Sequence, residues 1–582
     1  MPVTEHKRYA LIKKFYLVVL VLVVGLAFLF SLLNASASGK LNKNLNYDKF
    51  LADLKVISSE THFTLTPGHA KLQVWLEETI REIGGDSPRF NLQIDEFNGS
   101  RAAIDENGRI VIRYEAGQAE SAIYKTITIP PLKNFIVTLR GTASRGKALM
   151  IASHYDGALG DNPKAVYPAT TDAGVSVAAM LEVMRYAVNN PVENDVIFFI
   201  NDGEERGLLG AKHYMESLET PAEKIGLVAN FEATGTSGTL VMFETGRRPA
   251  GTVHSFAKVI GTVFSNSLAA WIYEKMPNRT DMAEYKKHGL AGLNFACAGS
   301  GQNYHTPNDS MENLNEALAK QTLNVVLSMY KHYGNYDFSK ITGDRQLVYF
   351  SFYHIGLIIL PVWAVYLLVG LMYAGIAAVM VLKRGDFSRD FFKKSALRHL
   401  KAAGVTLLSV WIAIASTCLI SIILNAVTGV WMATKYSTFG IVFGTMLIAM
   451  ILFTIAQFFL CRVFKVTRHD VFVFAAIWQF LLTAALVFAL PVASFLFLLP
   501  ALLNVAALAL ENAVKNKTAN TIIKDLHLPI LSAAFAFTTV VTLSILISYA
   551  IGTKAAPFVA VMPLFACFQL APMSKVIAAE IG

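Results

Sequence analysis

The sequence has little charge for its length: Asp, Glu, Lys and Arg make up 16% of 582 residues, against 54% hydrophobic side chains. That balance excludes a plain soluble enzyme. A chain this long divides into at least two units, and one of them is membranous by composition. Cysteine is also scarce. The four are Cys297, Cys418, Cys461 and Cys567; the last three fall inside apolar segments, which excludes a disulfide scaffold. Cys297, in the apolar run 293–298, reads as a buried strand thiol. No stripe of Lys and Arg with interleaved aromatics occurs in the polar region, so no nucleic-acid partner is expected. The net charge of +9 is unevenly spread: residues 35–345 hold roughly 31 basic and 35 acidic side chains, and the positive excess lies in the rest of the chain.

That rest is dominated by long apolar runs. Residues 16–33 form one, preceded by Lys7, Arg8, Lys13 and Lys14; this is a signal anchor or a cleavable signal, and its length favours retention. Further runs near 357–382, 402–425, 439–461, 471–489, 492–510, 528–550 and 556–573 make about seven more spans of bilayer length. With the amino terminus inside, alternate loops carry Lys383, Arg384, Arg389, Lys393, Lys394, Arg398 and Lys401, then Arg462, Lys465 and Arg468, then Lys515, Lys517 and Lys524. The opposite loops carry only Lys435 and Lys554. Cytoplasmic loops concentrate positive charge, so the expected organisation is a cytoplasmic tail and first span over 1–34, a domain outside the cytoplasm over 35–345, and a bundle of spans over 346–582. Few ionisable groups fall within the spans, which speaks against transport.

Within 40–340, short β-rich runs alternate with amphipathic helical segments. Helices at 47–58 and 69–83 lead to strands at 90–97, 110–114 and 135–140. A strand at 148–152, a helix at 175–188, a strand at 195–200, a helix at 208–218 and strands at 226–230 and 292–296 follow. Strands apolar on both faces and alternating with helices predict an α/β fold with a mixed, largely parallel central sheet covered by helices on both faces. The polar residues of interest come directly after these strands, where sites form in open α/β sheets.

After the first such strand stand His154 and Asp156, two apart; a metal-bound imidazole donates its other ring N–H to a carboxylate, which gives Asp156 the role of orienting His154. Asp172 precedes a helix and is equally placed to cap it. The adjacent acids Glu204 and Glu205 after a buried strand repel each other unless a cation is near, or else they lead into the helix at Leu208 and interact with its dipole. Glu232 follows an apolar strand, and His305 lies in a loop before a helix. Each alone has an ordinary loop or cap explanation. Together they fit two zinc ions, with His154 and Glu232 on one, Glu205 and His305 on the other, and Asp172 bridging. Glu204 is left as general base.

These ordered motifs, His-x-Asp, Asp before a helix, Glu-Glu-x-Gly, Phe-Glu-x-x-Gly and Tyr-His-Thr, resemble the di-zinc exopeptidase family. It includes bacterial secreted aminopeptidases, glutamate carboxypeptidases, glutaminyl cyclases, vacuolar membrane proteases and the endoplasmic-reticulum metallopeptidase. The resemblance covers about residues 60–335, and the spans around it are most like the vacuolar and endoplasmic-reticulum members. It implies a zinc exopeptidase acting on peptides, with His154, Asp172, Glu205, Glu232 and His305 as ligands and Glu204 as base. Asp156 stands behind the ligands, and the step Thr280-Asp281 suggests the same for Asp281. The second acid often found after the bridging aspartate is here Ala173.

The expected activity is that of an aminopeptidase in a membrane, bacterial inner membrane by preference and endoplasmic-reticulum or vacuolar membrane otherwise. A glutaminyl cyclase and a non-catalytic receptor or assembly protein are the alternatives. Glu204, Glu232 and Asp281 are the candidates to hold a peptide amine; Arg206, Arg247 and Arg248 are those to hold a carboxylate. His62, His69, His213 and His254 are expected on the surface or on a helix face, and His288-Gly289 at a helix end.

Overall fold

The computed structural model describes residues 37–513 except 38, 65, 98–101, 105–109, 113–124, 128–130, 144–145, 161, 163–164, 260, 262, 353–355, 383–388 and 429–437, together with Leu22, Leu26, Val540 and Thr542. They fall into two compact units, one of Ser36–Gln346 with His354–Leu357 and the other taking up the chain from Leu347 onward.

The first unit is built on a mixed eight-stranded sheet. Its strands are β1 (Phe90–Phe97), β5 (Leu132–Leu139), β6 (Ala148–His154), β7 (Val196–Asn201), β8 (Ile225–Ala233), β9 (Ser237–Thr245), β10 (Phe264–Ser265) and β11 (Gly292–Gly299), in the order β1-β5-β7-β6-β8-β11-β9-β10. The middle four, β7, β6, β8 and β11, are mutually parallel. On one side β5 and β1 run antiparallel, and on the other β9 pairs antiparallel with β11. Three short strands, β2 (Ala102–Ile104), β3 (Ile110–Ile112) and β4 (Lys125–Ile127), form a separate sheet.

The apolar-on-both-faces pattern of the middle strands has a direct structural meaning. Every residue of β6 and of β8 is buried. Along β7, Phe198 stacks on Tyr330 of the helix Glu316–Tyr333, while its neighbour Phe199 stacks on Tyr214 of the helix Leu209–Ser217. Successive strand side chains point to opposite faces, so these two helices cover opposite sides of the sheet. The helix Val175–Asn189 joins the first layer through Tyr186, whose ring meets Tyr330 edge-on. Met150 and Ala152 of β6 pack in the second layer with Ala211, Met215, Met282 and Tyr285.

Chain order fixes where the site falls. β7 follows β6 in sequence and lies on one side of it, and β8 follows β7 and lies on the other. The connection from β6 therefore runs to one side and the next, from β7, crosses back to the other, which opens a crevice at the carboxyl end of β6. His154 is the last residue of β6, in register with Asn201 at the end of β7.

Several sequence expectations shift. The strand expected at 110–114 belongs to the small sheet and spans Ile110–Ile112. β9 was not anticipated, because it follows β8 after only three residues and its start, Ser-Gly-Thr, reads as the continuation of a glycine turn. His62 and His69 are not surface residues: they are 1% and 2% exposed. His254 is exposed, and His288 caps a helix ahead of Gly289 at φ +83°.

In the second unit, the helices Val362–Leu382, Arg389–Thr428, Thr438–Val463, Arg468–Ala489 and Leu498–Ala513 lie over five of the expected spans. Among the described residues one segment, Ala396–Ile420, is long and apolar enough to cross a membrane; Val362–Ala378, Leu447–Val463 and Phe480–Ala489 are shorter apolar helices. The expected span at 357–382 begins as the strand Gly356–Pro361, and the helix starts just after the proline, which cannot donate in a helix interior. The segment 492–510 opens with the 3-10 turn Pro491–Leu496. The remaining expected spans, 16–33, 528–550 and 556–573, lie outside the described residues but for Leu22, Leu26, Val540 and Thr542.

A buried polar knot ties the first amphipathic helices to the end of β7. Asp202, fully buried, accepts from His69 Nε2 at 2.8 Å, Tyr155 OH at 2.5 Å, Gln73 Nε2 at 3.1 Å and the Lys133 amide at 3.0 Å. Removing the acceptor leaves these donors buried and unsatisfied, so Asp202→Ala is expected to cost roughly 3–5 kcal/mol. A thermal melt of the purified chain checks this; a midpoint unchanged from wild type refutes it.

Candidate active site

Three parallel strands and one loop deliver the residues that sequence reasoning singled out. β6 ends in His154, β8 carries Glu232 in register with Ala296 of β11, and the turn after β7 carries Glu204 and Glu205. That turn begins at Gly203 with φ +73°, a conformation only glycine adopts at little cost. His305 follows β11 in a loop and itself lies at φ +54°, and Tyr304 stacks on its ring with centroids 3.7 Å apart.

The structure brings all five expected ligands together around Asp172. His154 Nε2 lies 3.6 Å from Asp172 Oδ1 and 3.2 Å from Glu232 Oε2. His305 Nε2 lies 3.2 Å from Asp172 Oδ2 and 2.9 Å from Glu205 Oε1. One aspartate thus presents a different oxygen to each of two His–carboxylate pairs. In each of the resulting triads, His154, Asp172 and Glu232, and Asp172, Glu205 and His305, one donor atom per residue lies within 4.8 Å of the others. The Asp172–Ala173 peptide is cis.

Burial sharpens the electrostatics. His154 and Asp172 are 1% and 4% exposed, whereas the His305 side chain is 36% exposed and marks the open side of the crevice. Burial would lower the basicity of His154, but the carboxylates of Asp156, Asp172 and Glu232 outweigh it and hold its pKa well above the ordinary imidazole range. The same contest, against Asp172 and Glu205, raises His305 to about 10. Asp172 is pushed up by burial and pulled down further by the two histidines, ending below the usual carboxylate range. Glu205 is raised to about 7 chiefly by burial. Glu204 is raised well above the ordinary value by burial and by the charge of Glu232, which is the direction that suits a general base.

The donor set passes a chemical test for a metal. Asp172 Oδ2 and His305 Nε2 are buried and lie 3.2 Å apart without the alignment of a hydrogen bond, which leaves their polarity to be satisfied by something else. Two imidazoles among four crowded carboxylates leave an excess of negative charge that a dication balances, and a nitrogen and oxygen donor set suits zinc.

The residues behind the ligands take clearer roles than the sequence offered. His154 Nδ1 meets the main-chain oxygen of Asp156 at 2.8 Å, with the Asp156 carboxylate 3.6 Å away. That carboxylate accepts instead from the amides of Glu204 at 3.0 Å and Glu205 at 3.2 Å. Asp156 therefore orients the imbidazole through its backbone and the Glu-Glu turn through its side chain. Asp281 is fully buried and accepts from Asn201 Nδ2 at 2.5 Å; burial and the charge of Glu232 raise it to about 8. Its partner Asn201 stands in register with His154 on the neighbouring strand.

Sequence reasoning missed Asn230, which donates to Glu232 Oε1 at 2.8 Å and leaves Oε2 facing His154. Asn230 also donates to Asn294, which in turn donates to Glu244, itself paired with Lys286 at 3.0 Å. These are uncharged or distant residues with no metal-ligand spacing. A polar residue inside an otherwise apolar strand was the only available signal.

Two histidines and four acids thus gather at the carboxyl ends of parallel strands as a candidate metal centre. Residues 134–330 match the family model of Peptidase family M28. Two curated relatives agree. A vacuolar membrane protease of Eremothecium gossypii is 27% identical over 277 residues, 47% of this chain and 26% of that protein. A vacuolar membrane protease of Saccharomyces cerevisiae is 25% identical over 279 residues, 48% of this chain and 27% of that protein. The matched region thus spans about a quarter of the length of these relatives. Among solved structures, a zinc aminopeptidase from Bacillus subtilis aligns at 14% identity and a TM-score of 0.38, over 52% of this chain and 99% of its own. A Fimbriiglobus ruber glutaminyl cyclase aligns at 15% identity and a TM-score of 0.36, over 52% of this chain and 97% of its own.

The double role of Asp156 has a measurable consequence. Asp156→Ala frees the Glu204 and Glu205 amides and should lower zinc affinity by about 10- to 100-fold. Zinc titration of the purified chain checks this, and an affinity within twofold of wild type excludes the role.

Proposed function

We propose that this chain is a membrane-bound zinc aminopeptidase with two zinc ions, held by His154 and Glu232, by Glu205 and His305, and by Asp172 between them. The observation that carries this is Asp172, whose two oxygens face two different histidines. Zinc in such a centre polarises a scissile carbonyl and acidifies water. Glu204, next to the ligand Glu205 and free of ligand contacts, takes the proton of the attacking water on its carboxylate and passes it to the departing amine. Asp156 keeps Glu204 in place through its amide, and Asp281 and Asn201 pack beneath His154.

The choice of peptide end follows from the arginines. Arg206 is 1% exposed, stacked 4.1 Å from the Phe63 ring and bonded to Thr64. Arg247 and Arg248 follow β9, whose carboxyl end pairs with the start of β11 at Leu293, so they lie at the edge of the sheet away from the crevice. They bond the carbonyls of Lys286 and Gly289 there. None of the three is set to receive a substrate carboxylate. Acidic groups dominate the crevice instead, which favours a free amine, with Glu204 and Glu232 its nearest partners and Asp281 too deeply buried to touch it.

The domain boundaries at 35 and 345, the several spans and a non-cytoplasmic catalytic domain remain the arrangement we infer, supported by the Lys/Arg bias of the loops and by the apolar helix Ala396–Ile420. The relatives' name favours a vacuolar-type membrane over the bacterial inner membrane expected from the sequence. Protease added to sealed vesicles should spare 35–345; its digestion from the cytoplasmic side would sink the topology.

The central test is Glu204→Gln. Wild type should bind two zinc per chain and release amino-terminal residues from aminoacyl substrates, and the variant should keep its zinc while losing about 10²- to 10⁴-fold in kcat. Turnover confined to amino-terminal Gln peptides with one zinc would instead mark a cyclase. A folded chain without zinc or turnover would mark a binding protein.

A further inference from the structure

Asp309 lies four residues beyond His305, is 2% exposed, and among the described residues makes its side-chain hydrogen bonds with the segment that carries Asp172. Its Oδ1 accepts from the Thr171 amide at 2.9 Å and from the Thr171 hydroxyl, and its Oδ2 accepts from the Asp172 amide at 3.2 Å. Its main-chain oxygen accepts from the Thr170 amide at 3.1 Å. Four hydrogen bonds thus join one residue of the His305 loop to three consecutive residues ending at the shared carboxylate.

The segment needs such a hold. Residues 170–174 do not form a regular helix: Asp172 has φ −112° and ψ 83°, outside helical values, and Ala169 before it lies at φ +44°. With regular helical bonding broken at Asp172, the amides of Thr171 and Asp172 find their acceptor in Asp309. On the other side, His305 sits at φ +54°, a conformation unfavourable for a non-glycine residue. The loop 300–309 is braced by Asn303, which donates to Thr236 at 2.8 Å and accepts from the Thr306 hydroxyl at 2.7 Å.

We propose that Asp309 is a positioning residue that locks the spacing between Asp172 and His305, and so sets the affinity of the centre they share for its metal. It touches no ligand side chain and would not contact substrate; it acts through the backbone of Asp172 and through the short loop that ends in His305. Asparagine at this position keeps the shape but replaces one acceptor by a donor, so it must lose the bond to Thr171 or the bond to Asp172 and set an N–H against an N–H. Thr171→Val removes only the hydroxyl bond.

The inference rests on the metal-centre reading above, and the test separates the two. Zinc titration of the detergent-purified full chain is compared for wild type, Asp309→Asn and Thr171→Val, with thermal melts of each protein in chelator and in zinc. Asp309→Asn is expected to bind zinc about 10- to 100-fold more weakly, and Thr171→Val should fall between it and wild type. The zinc-dependent rise in melting temperature should shrink in the variants while the midpoint in chelator moves little. Zinc affinity within twofold of wild type in both variants overturns the proposal. So does a midpoint in chelator that drops as far as the zinc-loaded one, since the role is then structural only. If Asp309→Asn does not fold, the Thr171→Val affinity decides alone. Wild type that binds no zinc removes the metal-centre reading and this inference with it.

Discussion

Everything at the carboxyl end of this sheet answers to one constraint: Asp172, Glu204, Glu205 and Glu232 share a largely buried crevice with two imidazoles. Like charges at such distances in a low-dielectric setting repel strongly. The directions of the pKa shifts record the strain, with both histidines held protonated and Glu204 and Glu205 pushed toward the neutral acid. Protons relieve the charge imperfectly, since Asp172 Oδ2 and His305 Nε2 lie 3.2 Å apart without aligning into a hydrogen bond. A dication relieves it with the same donors. The rest of the domain is organised to keep these groups close in spite of their repulsion.

The sheet does this by geometry. Strands β6, β7 and β8 are buried on both faces, so their ends cannot drift without opening the core. The switch in strand order at β6 then places the segments following each of them around one crevice. Asp202 reinforces the end of β7 directly before the Glu-Glu turn, gathering donors from His69, Gln73, Tyr155 and Lys133. Its negative charge contributes nothing to the metal set, because those donors consume its oxygens.

Much of this was legible in the sequence because it depends on local pattern. Runs such as 148–152 and 226–230 are apolar on both faces, and that alone reveals a covered parallel sheet and the places where chemistry emerges. His154, Asp172, Glu205, Glu232 and His305, which the structure brings together, stood out as His and acid residues that follow such strands or precede helices. What escaped depends on contacts between distant segments. β9 hid behind a glycine turn and owes its place to pairing with β11. His69 looked like any histidine on a helix until its partner Asp202, 133 positions away, was known. Asp309 read as one more polar loop residue, and Asn230 as an irregularity in a strand. Arg206, next to two acids in sequence, looked available to substrate, yet the fold turns it away onto Phe63.

The partners behind the ligands also explain how a site so dense in charge can be ready before it is filled. Glu232 is directed by Asn230, which is fixed through Asn294 to Glu244 and Lys286 on the far side of the strands. Glu205 is directed through its amide by Asp156, and His154 by the Asp156 carbonyl. Each ligand is held by a group that is itself buried, so binding a metal orders few side chains that are not already ordered. Ordering costs about 0.5–1.5 kcal/mol for each mobile side chain in an interface. A metal centre assembled from loose side chains would lose several such increments, which side chains already held in this way would keep. The exception is His305, more exposed than the others and on a loop at positive φ, where the crevice is open.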